Sequence, residues 1–575
     1  MLRIWKLMDT KTIIKIVLLI AFEATGFLLL PTLSSIILNE SAAGADVSTV
    51  WSIGAIMLLF NLLAFIVATY STKMSAKESQ GLGDILRKKI FNRIMSFSQE
   101  DLSKFGTSTL ITRTTNDVMQ IQLVTMLMLR LIIMSPIVMI VSTIFAYQRE
   151  PQLAWVFAIT LPIMSIFLLI IFKFANPIFR SMQGKTDRLN QVFREGLTGI
   201  RVIRAFNTTY YEENRFDDAN SDFRDTAIRA NTILALMMPT MMLTLGLSNV
   251  LTFSNGAQLI VNGTMGVGDL IAFSQYGVQI LISVLQIAML FFFIPRAQVS
   301  AERVLRVIDT EPTIKDDKET VSLQLEDEVQ LAFEDVDFGF PEAERPAVQN
   351  INFTAQKGET IAIIGGTGSG KTTIGNLIPR LYEATKGAVK INGVDIKDVS
   401  QKELRRFIGF APQKALLFSG TIRSNLQYGK PDATEEEMWH ALSVAQADFV
   451  KGLEDGLDSR VEQGGGNFSG GQRQRLSIAR AIINQPSIYV FDDSFSALDF
   501  ETDAKLRQAL APETKDAITV IIAQRVNTVI NADKILVTDN GEIVGQGTHE
   551  ELLESNALYQ DIVNSQTKGD DYHGE

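Results

Sequence analysis

The stretch Gly365-Gly366-Thr367-Gly368-Ser369-Gly370-Lys371-Thr372 follows the apolar run Ile361–Ile364 and decides the fold of the C-terminal half. It satisfies the pattern G-x-x-x-x-G-K-[ST] in a strand–loop–helix setting, which is typical of a phosphate-binding loop. Its glycines let backbone N–H groups surround the phosphates, while Lys371 reaches the β- and γ-phosphates and the Thr372 hydroxyl can ligate Mg²⁺. Thr373 lies at the same helix N-terminus, whose positive end attracts phosphate. The stretch therefore predicts an α/β domain that binds a nucleotide with Mg²⁺.

Two later segments add to this prediction. A second apolar strand, Ser487–Phe491, ends in Asp492-Asp493, and a carboxylate delivered beside the phosphate loop supplies an outer-sphere Mg²⁺ ligand, a role that fits Asp492. Between the two strands, Ser469-Gly470-Gly471 opens a helix and predicts a further anion site, although alone it could be an ordinary helix cap.

The composition separates the chain into two differently built halves. Hydrophobic residues make up 46% and charged residues 20% of the 575 residues, and mean hydropathy is +0.16. These values exclude a disordered chain, and the absence of Cys excludes disulfides, Fe–S centres and thiol nucleophiles. Residues 1–310 carry 27 Lys and Arg against 21 Asp and Glu, whereas the remainder carries 26 against 43.

The first half is predicted to cross a membrane six times, because about 20 apolar residues suffice for one crossing. The predicted spans are 12–38, 50–71, 119–147, 153–174, 230–253 and 270–294. Basic residues concentrate in 72–117 and 175–229, whereas the other connections hold almost none. The positive-inside rule therefore predicts that both termini and both long polar segments are cytoplasmic.

Two ionisable residues stand out in the interior of the predicted spans, Glu23 in the first and Arg130 in the third. Such residues are costly in a bilayer and often functional, so Glu23 is a candidate for the substrate path. The simpler interpretation is an interhelical partner or a side chain that reaches the membrane interface.

The domain boundaries follow from these patterns. We predict an all-α membrane domain over 1–310, a linker over 311–327, an α/β nucleotide-binding domain over 328–565 and an acidic tail over 566–575. The acidic balance of the second half and its lack of a basic patch argue against a nucleic-acid partner.

With these motifs, nearly the whole chain resembles a bacterial ABC exporter half-transporter, in which six membrane helices are fused to one ATP-binding cassette. Phe468-Ser469-Gly470-Gly471-Gln472, hereafter the signature segment, resembles the family signature LSGGQ with Phe in place of Leu. Gln413 matches the Q-loop glutamine that contacts Mg²⁺, Asp499 matches the D-loop, and Phe340 stands where an aromatic residue stacks on adenine.

The resemblance also implies a mode of assembly. Two cassettes close head to tail around two ATP molecules, and each site pairs the phosphate loop of one chain with the signature segment of the other. In the membrane half, the segments 113–118 and 199–206 resemble exporter patterns beside two coupling helices, which we expect near 102–109 and 207–214.

Two departures from the family pattern concern catalysis. Asp493 stands where the family has the Glu that polarises the attacking water, and Gln524 stands where it has a His that contacts the γ-phosphate. Asp is one methylene shorter than Glu, and Gln can neither become a cation nor relay a proton. Because both changes fall in one site while the binding motifs are intact, the chain resembles the degenerate subunit of a heterodimeric exporter.

The sequence thus predicts a half-transporter for hydrophobic or amphiphilic compounds, multidrug in type, in the bacterial cell membrane with its cassette in the cytoplasm. Its partner would be a second half-transporter that carries the competent Glu and His. One alternative is a homodimeric lipid or peptide exporter that hydrolyses ATP slowly with Asp493. The other is a membrane-bound nucleotide sensor that transports nothing.

Overall fold

The computed structural model describes residues 1–316, 320–323, 328–341 and 343–570. They divide into two compact units, one formed by Met1–Met95 with Ser108–Thr310 and the other by Ser96–Thr107 with the residues from Glu311 onward. The first is here called the membrane unit and the second the cassette unit.

The membrane unit contains six helical spans, as the sequence predicts, and five of them extend far beyond the hydrophobic run. Its α-helices are α1 (Leu2–Trp5), α2 (Thr10–Ala42), α3 (Val47–Met95), α5 (Thr107–Thr112), α6 (Val118–Leu127), α7 (Ile133–Arg149), α8 (Trp155–Thr198), α9 (Ile200–Ala205), α10 (Thr209–Ala235), α11 (Met237–Val261) and α12 (Val267–Asp309), and α4 (Gln99–Phe105) belongs to the cassette unit. At 1.5 Å per residue, the 49 residues of α3 extend over about 74 Å, more than twice the ~30 Å hydrocarbon thickness of a bilayer.

The third span is not a uniform α-helix. Two π-helical segments, Arg113–Asp117 and Met128–Ile132, interrupt it. A π-segment widens the helix by one residue per turn and frequently marks a site where a side chain must be re-aimed. The second segment is centred on Arg130.

Arg130 uses that position to pair with Glu23 of the first span. Its guanidinium donates to both Glu23 carboxylate oxygens, at 2.9 and 3.1 Å, and to the Ser71 hydroxyl at 2.9 Å. The Glu23 and Arg130 side chains are 9% and 22% exposed. Arg130 therefore connects the first three spans. Its two hydrogen bonds to Glu23 form a bidentate ion pair, the strongest geometry for Arg and carboxylate, and its bond to Ser71 reaches the second span.

The second unit contains a short helix from outside the cassette sequence. Ser98 and Asp101 form a reciprocal capping box at the start of α4, and the same Asp101 carboxylate accepts hydrogen bonds from the backbone N–H and hydroxyl of Thr313, at 2.9 and 2.5 Å. Burial alone would raise the pKa of Asp101, but the bonds from Thr313 and Ser98 outweigh it and hold this pKa below its usual value.

The segment after Thr313 is fixed by a buried arginine of the cassette. Arg380, whose side chain is 3% exposed, donates to the Lys315 carbonyl at 3.0 Å and to the Val399 carbonyl at 3.0 Å. The beginning of the predicted linker is therefore packed against the cassette. Part of that linker and part of the predicted tail lie outside the described residues, and helix Ala557–Asp570 runs across residue 566.

The cassette has two larger sheets. The strands are β1 (Gln330–Phe338), β2 (Val348–Gln356), β3 (Thr360–Gly365), β4 (Lys386–Ile391), β5 (Val394–Asp395), β6 (Ile408–Ala411), β7 (Gly420–Thr421), β8 (Arg460–Val461), β9 (Ile488–Asp492), β10 (Ile518–Ile522), β11 (Lys534–Asp539) and β12 (Glu542–Gly547). One sheet has the order β2-β1-β4-β5, the other has the order β12-β11-β3-β10-β9-β6, and β7 pairs with β8.

Besides α4, the α-helices of the cassette unit are α13 (Lys371–Leu377), α14 (Gln401–Arg406), α15 (Ile422–Leu426), α16 (Glu435–Val444), α17 (Gly470–Ile482), α18 (Phe500–Thr514), α19 (Val526–Val529), α20 (His549–Ser555) and α21 (Ala557–Asp570). The six-stranded sheet lies between two apolar cores, because alternate side chains of a strand point to opposite faces. In β3, Ala362 and Ile364 belong to one core and Ile361 and Ile363 to the other. The predicted α/β domain is therefore confirmed, and its nucleotide loop begins at a strand buried on both sides.

The structure changes the expected positions of the coupling helices. Near the first expected segment, 102–109, the structure has the short helix Gln99–Phe105, which begins three residues earlier. The second expected segment, 207–214, is not a separate helix. Its first residue, Asn207, lies in a turn with a φ of +54°. Thr209 then begins α10, which continues to Ala235.

We expect Glu23→Ala to destabilise the membrane unit markedly, because it leaves the Arg130 guanidinium, only 22% exposed, without its carboxylate. Removing one partner of a buried pair costs about 3–5 kcal/mol in soluble proteins. The exposed pair Asp84–Lys88, whose side chains are 59% and 72% exposed, provides the control: Asp84→Ala should cost at most about 1 kcal/mol. Thermal unfolding of both full-length variants in the same nanodisc measures the difference, and equal unfolding temperatures would contradict it.

Candidate nucleotide-binding site

Four neighbouring parallel strands end at one edge of the central sheet and carry the predicted catalytic residues. In the order β3-β10-β9-β6, each strand pairs in parallel with its neighbour. The phosphate loop follows β3, and Gln524 follows β10. Asp492 ends β9, Asp493 comes directly after it, and Gln413 follows β6. Ligands of open α/β sheets bind at this carboxyl edge of the strands.

The phosphate loop depends on two glycines for different reasons. Gly370 has a φ of +92°, and a Cβ there would lie 2.6 Å from Val348 Cγ1 and 2.8 Å from the Ala347 carbonyl oxygen. A Cβ at Gly365 would lie 2.1 Å from the Thr538 carbonyl oxygen of the neighbouring strand β11. Gly370 therefore permits the left-handed turn into α13, and Gly365 permits the close approach of β3 to β11.

Lys371 extends back along this loop. Its ammonium donates to the carbonyl oxygens of Gly365 and Gly366, at 2.9 and 2.6 Å. Burial lowers the pKa of Lys371, and the carboxylates of Asp493 and Asp492 act against that effect. The one Lys of the loop therefore lies with its ammonium against the loop backbone.

Asp492 and Thr372 provide oxygen ligands suited to Mg²⁺. The Thr372 hydroxyl donates to Asp492 Oδ1 at 3.0 Å, and Asp492 is 2% exposed. Burial raises the pKa of this carboxyl group, and a bound cation would reverse that effect. A hydroxyl beside a buried carboxylate fits Mg²⁺, which takes hard oxygen ligands and keeps several waters.

Asp493 is held by two amides. Gln413 Nε2 and Gln524 Nε2 both donate to Asp493 Oδ2, each at 3.2 Å. The backbone of Asp493 is left-handed, with a φ of +46°, and its N–H donates to the Ile522 carbonyl at 2.8 Å. The structure therefore brings together the two residues that depart from the family pattern, together with the predicted Q-loop glutamine.

The signature segment forms the start of α17. Ser469 and Gln472 make a reciprocal capping box, with the Ser469 N–H donating to Gln472 Oε1 at 2.9 Å. Phe468 is buried in the core of the cassette, where its ring lies 6.1 Å from that of Phe449. A Cβ added at Gly470 would meet open space. The segment thus presents an open glycine and a helix N-terminus on its free side.

Phe340 lies in a ring cluster that lines a cavity. Its ring meets those of Phe338 and Tyr382 edge to face, at centroid distances of 5.0 and 5.4 Å. The cavity, of about 620 Å³, is also lined by Thr313 and by Glu100 of α4. Sequence reasoning missed Tyr382, which only its spatial position beside Phe340 reveals.

The remaining candidates have local roles. Asp499 caps α18, because its carboxylate accepts from the N–H and hydroxyl of Thr502 at 2.9 and 2.8 Å. His440 and His549 contact Glu513 and Tyr559, so neither replaces a catalytic histidine at Asp493. His573 lies outside the described residues. Glu23 belongs to the membrane unit, where it pairs with Arg130.

Comparisons with known proteins agree with this arrangement. Residues 13–284 match the family described as ABC transporter transmembrane region, and residues 348–496 match the family described as ABC transporter. An uncharacterized ABC transporter ATP-binding protein of Mycobacterium tuberculosis (strain ATCC 25618 / H37Rv) is 41% identical over 546 residues, which cover 94% of this chain and 93% of that protein.

Two further similarities concern function and fold. A Bacillus subtilis (strain 168) protein named YheI, a probable multidrug resistance ABC transporter ATP-binding/permease protein, is 33% identical over 83% of this chain and 82% of its own length. The solved structure of a bacterial Atm1-family ABC exporter with ATP bound superposes with a TM-score of 0.79 at 23% identity, covering 97% of this chain and 99% of that one.

We expect Gly370→Ala to weaken ATP binding by about tenfold or more, because the strained φ alone costs an alanine about 1–2 kcal/mol and its Cβ also meets Val348. Gly366→Ala is the matched control: a Cβ there meets nothing within 4 Å. Titration of the two full-length variants with a fluorescent ATP analogue measures the difference. Equal affinities would show that the loop adopts another conformation when it binds nucleotide.

Proposed function

The chain belongs to the ABC transporter family, as an exporter half-transporter with a membrane domain and an ATP-binding domain, and on this premise we propose that it is the degenerate half of a heterodimeric exporter. Its own phosphate loop would bind ATP with Mg²⁺ but hydrolyse it poorly. Its signature segment would complete the competent site of a partner half-transporter that carries Glu and His at the matching positions.

The contact of Asp493 with Gln413 and Gln524 carries this proposal. A general base must reach the attacking water, and Asp is one methylene shorter than the Glu of the family pattern. A misplacement of about 1 Å can cost on the order of 100-fold in rate. Two hydrogen bonds of 3.2 Å tie the carboxylate to the side-chain amides of Gln413, after β6, and Gln524, after β10, which opposes a compensating movement toward the water.

Gln524 compounds the loss at the γ-phosphate. An amide donates a neutral hydrogen bond, whereas a histidine can become a cation and can relay a proton. Charge-assisted bonds are roughly twice as strong as neutral ones, and the transition state of phosphoryl transfer depends on such electrostatic stabilisation. Gln524 at the γ-phosphate therefore supports the binding of ATP better than its hydrolysis.

The groups that bind nucleotide are retained. Residues 365–373 supply the phosphate loop, Thr372, Gln413 and Asp492 would hold Mg²⁺, in part through water, and Phe340 would stack on adenine. An intact phosphate loop beside an impaired base, Asp493, favours a site that retains ATP. The retained ATP would hold the two cassettes together while the partner's competent site passes through several cycles of hydrolysis.

The signature segment supports the second half of the proposal. Gly470 is open and Ser469 caps a 13-residue helix, so backbone N–H groups and the helix N-terminus can meet a phosphate from outside. Asp499 of the D-loop would lie at the same junction between cassettes. This chain would thereby contribute to hydrolysis without performing it at its own phosphate loop.

Closure of the cassettes would drive transport through helices that continue into the membrane unit. The positive-inside pattern supports cytoplasmic termini and a cytoplasmic cassette. The membrane would be the cell membrane of a bacterium. The name of YheI supports a multidrug type of substrate, and we propose that the compounds are hydrophobic or amphiphilic. The acidic balance of the second half of the sequence argues against a nucleic-acid partner.

We expect the full-length chain alone to show negligible ATPase activity and the complex with its partner half-transporter to show robust activity. Within the complex, Lys371→Ala should reduce turnover only a few-fold, whereas the same change at the matching lysine of the partner should abolish it. Steady-state ATPase of the two single-site complexes measures this asymmetry. Equal losses, or full activity of a purified homodimer, would favour the homodimeric alternative.

Restoring both catalytic groups should raise hydrolysis at this site more than restoring either one. We expect Asp493→Glu to raise hydrolysis modestly and Asp493→Glu with Gln524→His to raise it by about tenfold or more. A histidine contact that lowers the barrier by about 1.4 kcal/mol increases the rate tenfold. The measurement is single-turnover hydrolysis in complexes whose partner site has been disabled. An unmodified site as fast as the double variant would mean that Asp493 is an adequate base.

A further inference from the structure

A large cavity of the membrane unit lies between α8 and α12. Its volume is about 930 Å³, and its walls are mostly apolar, with Leu168 from α8 and Val284 and Ile287 from α12. This volume is in the range of pockets that bind a drug-sized ligand, and the cavity is an open groove, since many of its lining residues are exposed. The cavity lies within one unit of the structure and is separate from the nucleotide site.

Two guanidinium groups, Arg180 of α8 and Arg296 of α12, line the same cavity. Among the described residues, neither makes a hydrogen bond or ion pair, and none of the described side chains that line the cavity is acidic. Two unneutralised cations beside an apolar wall are complementary to a ligand that is both apolar and negatively charged.

The depth of the two arginines fixes where the charged end would lie. Arg180 is 25 residues from the start of α8 and Arg296 is 29 residues from the start of α12. At 1.5 Å per residue these separations are about 38 and 44 Å, beyond the ~30 Å hydrocarbon core. Both arginines therefore lie at the ends of the spans that the positive-inside rule assigns to the cytoplasm, whereas Leu168 lies at acyl-chain depth.

Each helix also carries a proline near its arginine, Pro177 in α8 and Pro295 in α12. An internal proline removes one backbone hydrogen bond and lets a helix bend. Pro295 itself lines the cavity. Each proline therefore removes a backbone hydrogen bond of its helix within three residues of the arginine.

We infer that this cavity is a substrate site for an anionic amphiphile, whose apolar chain lies along Leu168, Val284 and Ile287 and whose anionic headgroup binds Arg180 and Arg296. The inference rests on the proposed exporter function and narrows its substrate class. A basic residue at the end of a span also satisfies the positive-inside rule without any ligand, so the test must separate the cavity arginines from other basic residues of the same helix.

The test uses a cysteine reporter, since the chain has no Cys of its own. Ser165, a cavity-lining residue of α8, becomes the sole cysteine of the chain in Ser165→Cys. The full-length variant, with its copurifying half-transporter retained, is placed in phosphatidylcholine nanodiscs. The rate of maleimide labelling is then measured with oleoyl lysophosphatidylglycerol, with oleoyl lysophosphatidylcholine, and with glycerol 3-phosphate.

We expect the anionic lysolipid to slow labelling at a concentration about tenfold lower than the zwitterionic one, while glycerol 3-phosphate has no effect. Arg180→Gln with Arg296→Gln should remove the difference between the two lysolipids. Arg188→Gln, the same change at an exposed arginine of α8 outside the cavity, should preserve it.

Three results would overturn the inference: equal protection by both lysolipids, protection by glycerol 3-phosphate alone, or a reporter that is unreactive without ligand because another chain covers the cavity. A failure of the exporter function is distinguishable from these. In that case the anionic lysolipid still protects the reporter selectively, but addition of ATP and Mg²⁺ does not reverse the protection.

Discussion

The register of four parallel strands determines where the chemistry of the cassette can occur. Ile522 of β10 is paired with Ile363 of β3 and with Asp492 of β9, and Ala411 of β6 is paired with Phe491. These pairs bring the ends of all four strands to one level, so the loops that follow them meet. A slip of one residue would turn every side chain of a strand to the opposite face, and both apolar cores oppose it.

Local sequence predicts the parts of this site that are built from contiguous residues. Gly365–Thr372 follows its strand and precedes its helix as the pattern requires, and the six spans follow from apolar runs of sufficient length. The bonds from Gln413 and Gln524 to Asp493 join residues 80 and 31 positions apart, and no local pattern carries such a contact. Tyr382 was missed for the same reason, because its place beside Phe340 depends on the pairing of β1 with β4, the strands next to which the two rings lie.

The membrane unit shows a second limit of sequence reasoning. The apolar run from 119 to 147 predicts a regular helix, but the structure inserts a π-segment at Arg130. This π-segment depends on tertiary contacts, because an arginine in a membrane span needs polar partners. Glu23 and Ser71, from two other helices, are those partners. The irregular turn thereby serves the ion pair, which the sequence shows only as two isolated charges.

The position of α4 has a consequence for exchanging parts between related transporters. The compact unit that contains the cassette takes residues from two separate stretches of the chain, and Asp101 connects them through its two bonds to Thr313. A chimera cut between the end of α12 and Thr313 would combine one parent's Thr313 with the other parent's α4. The transplantable module therefore includes residues 96–107, and each chimera must keep the acceptor at 101 and the donor at 313 from the same parent.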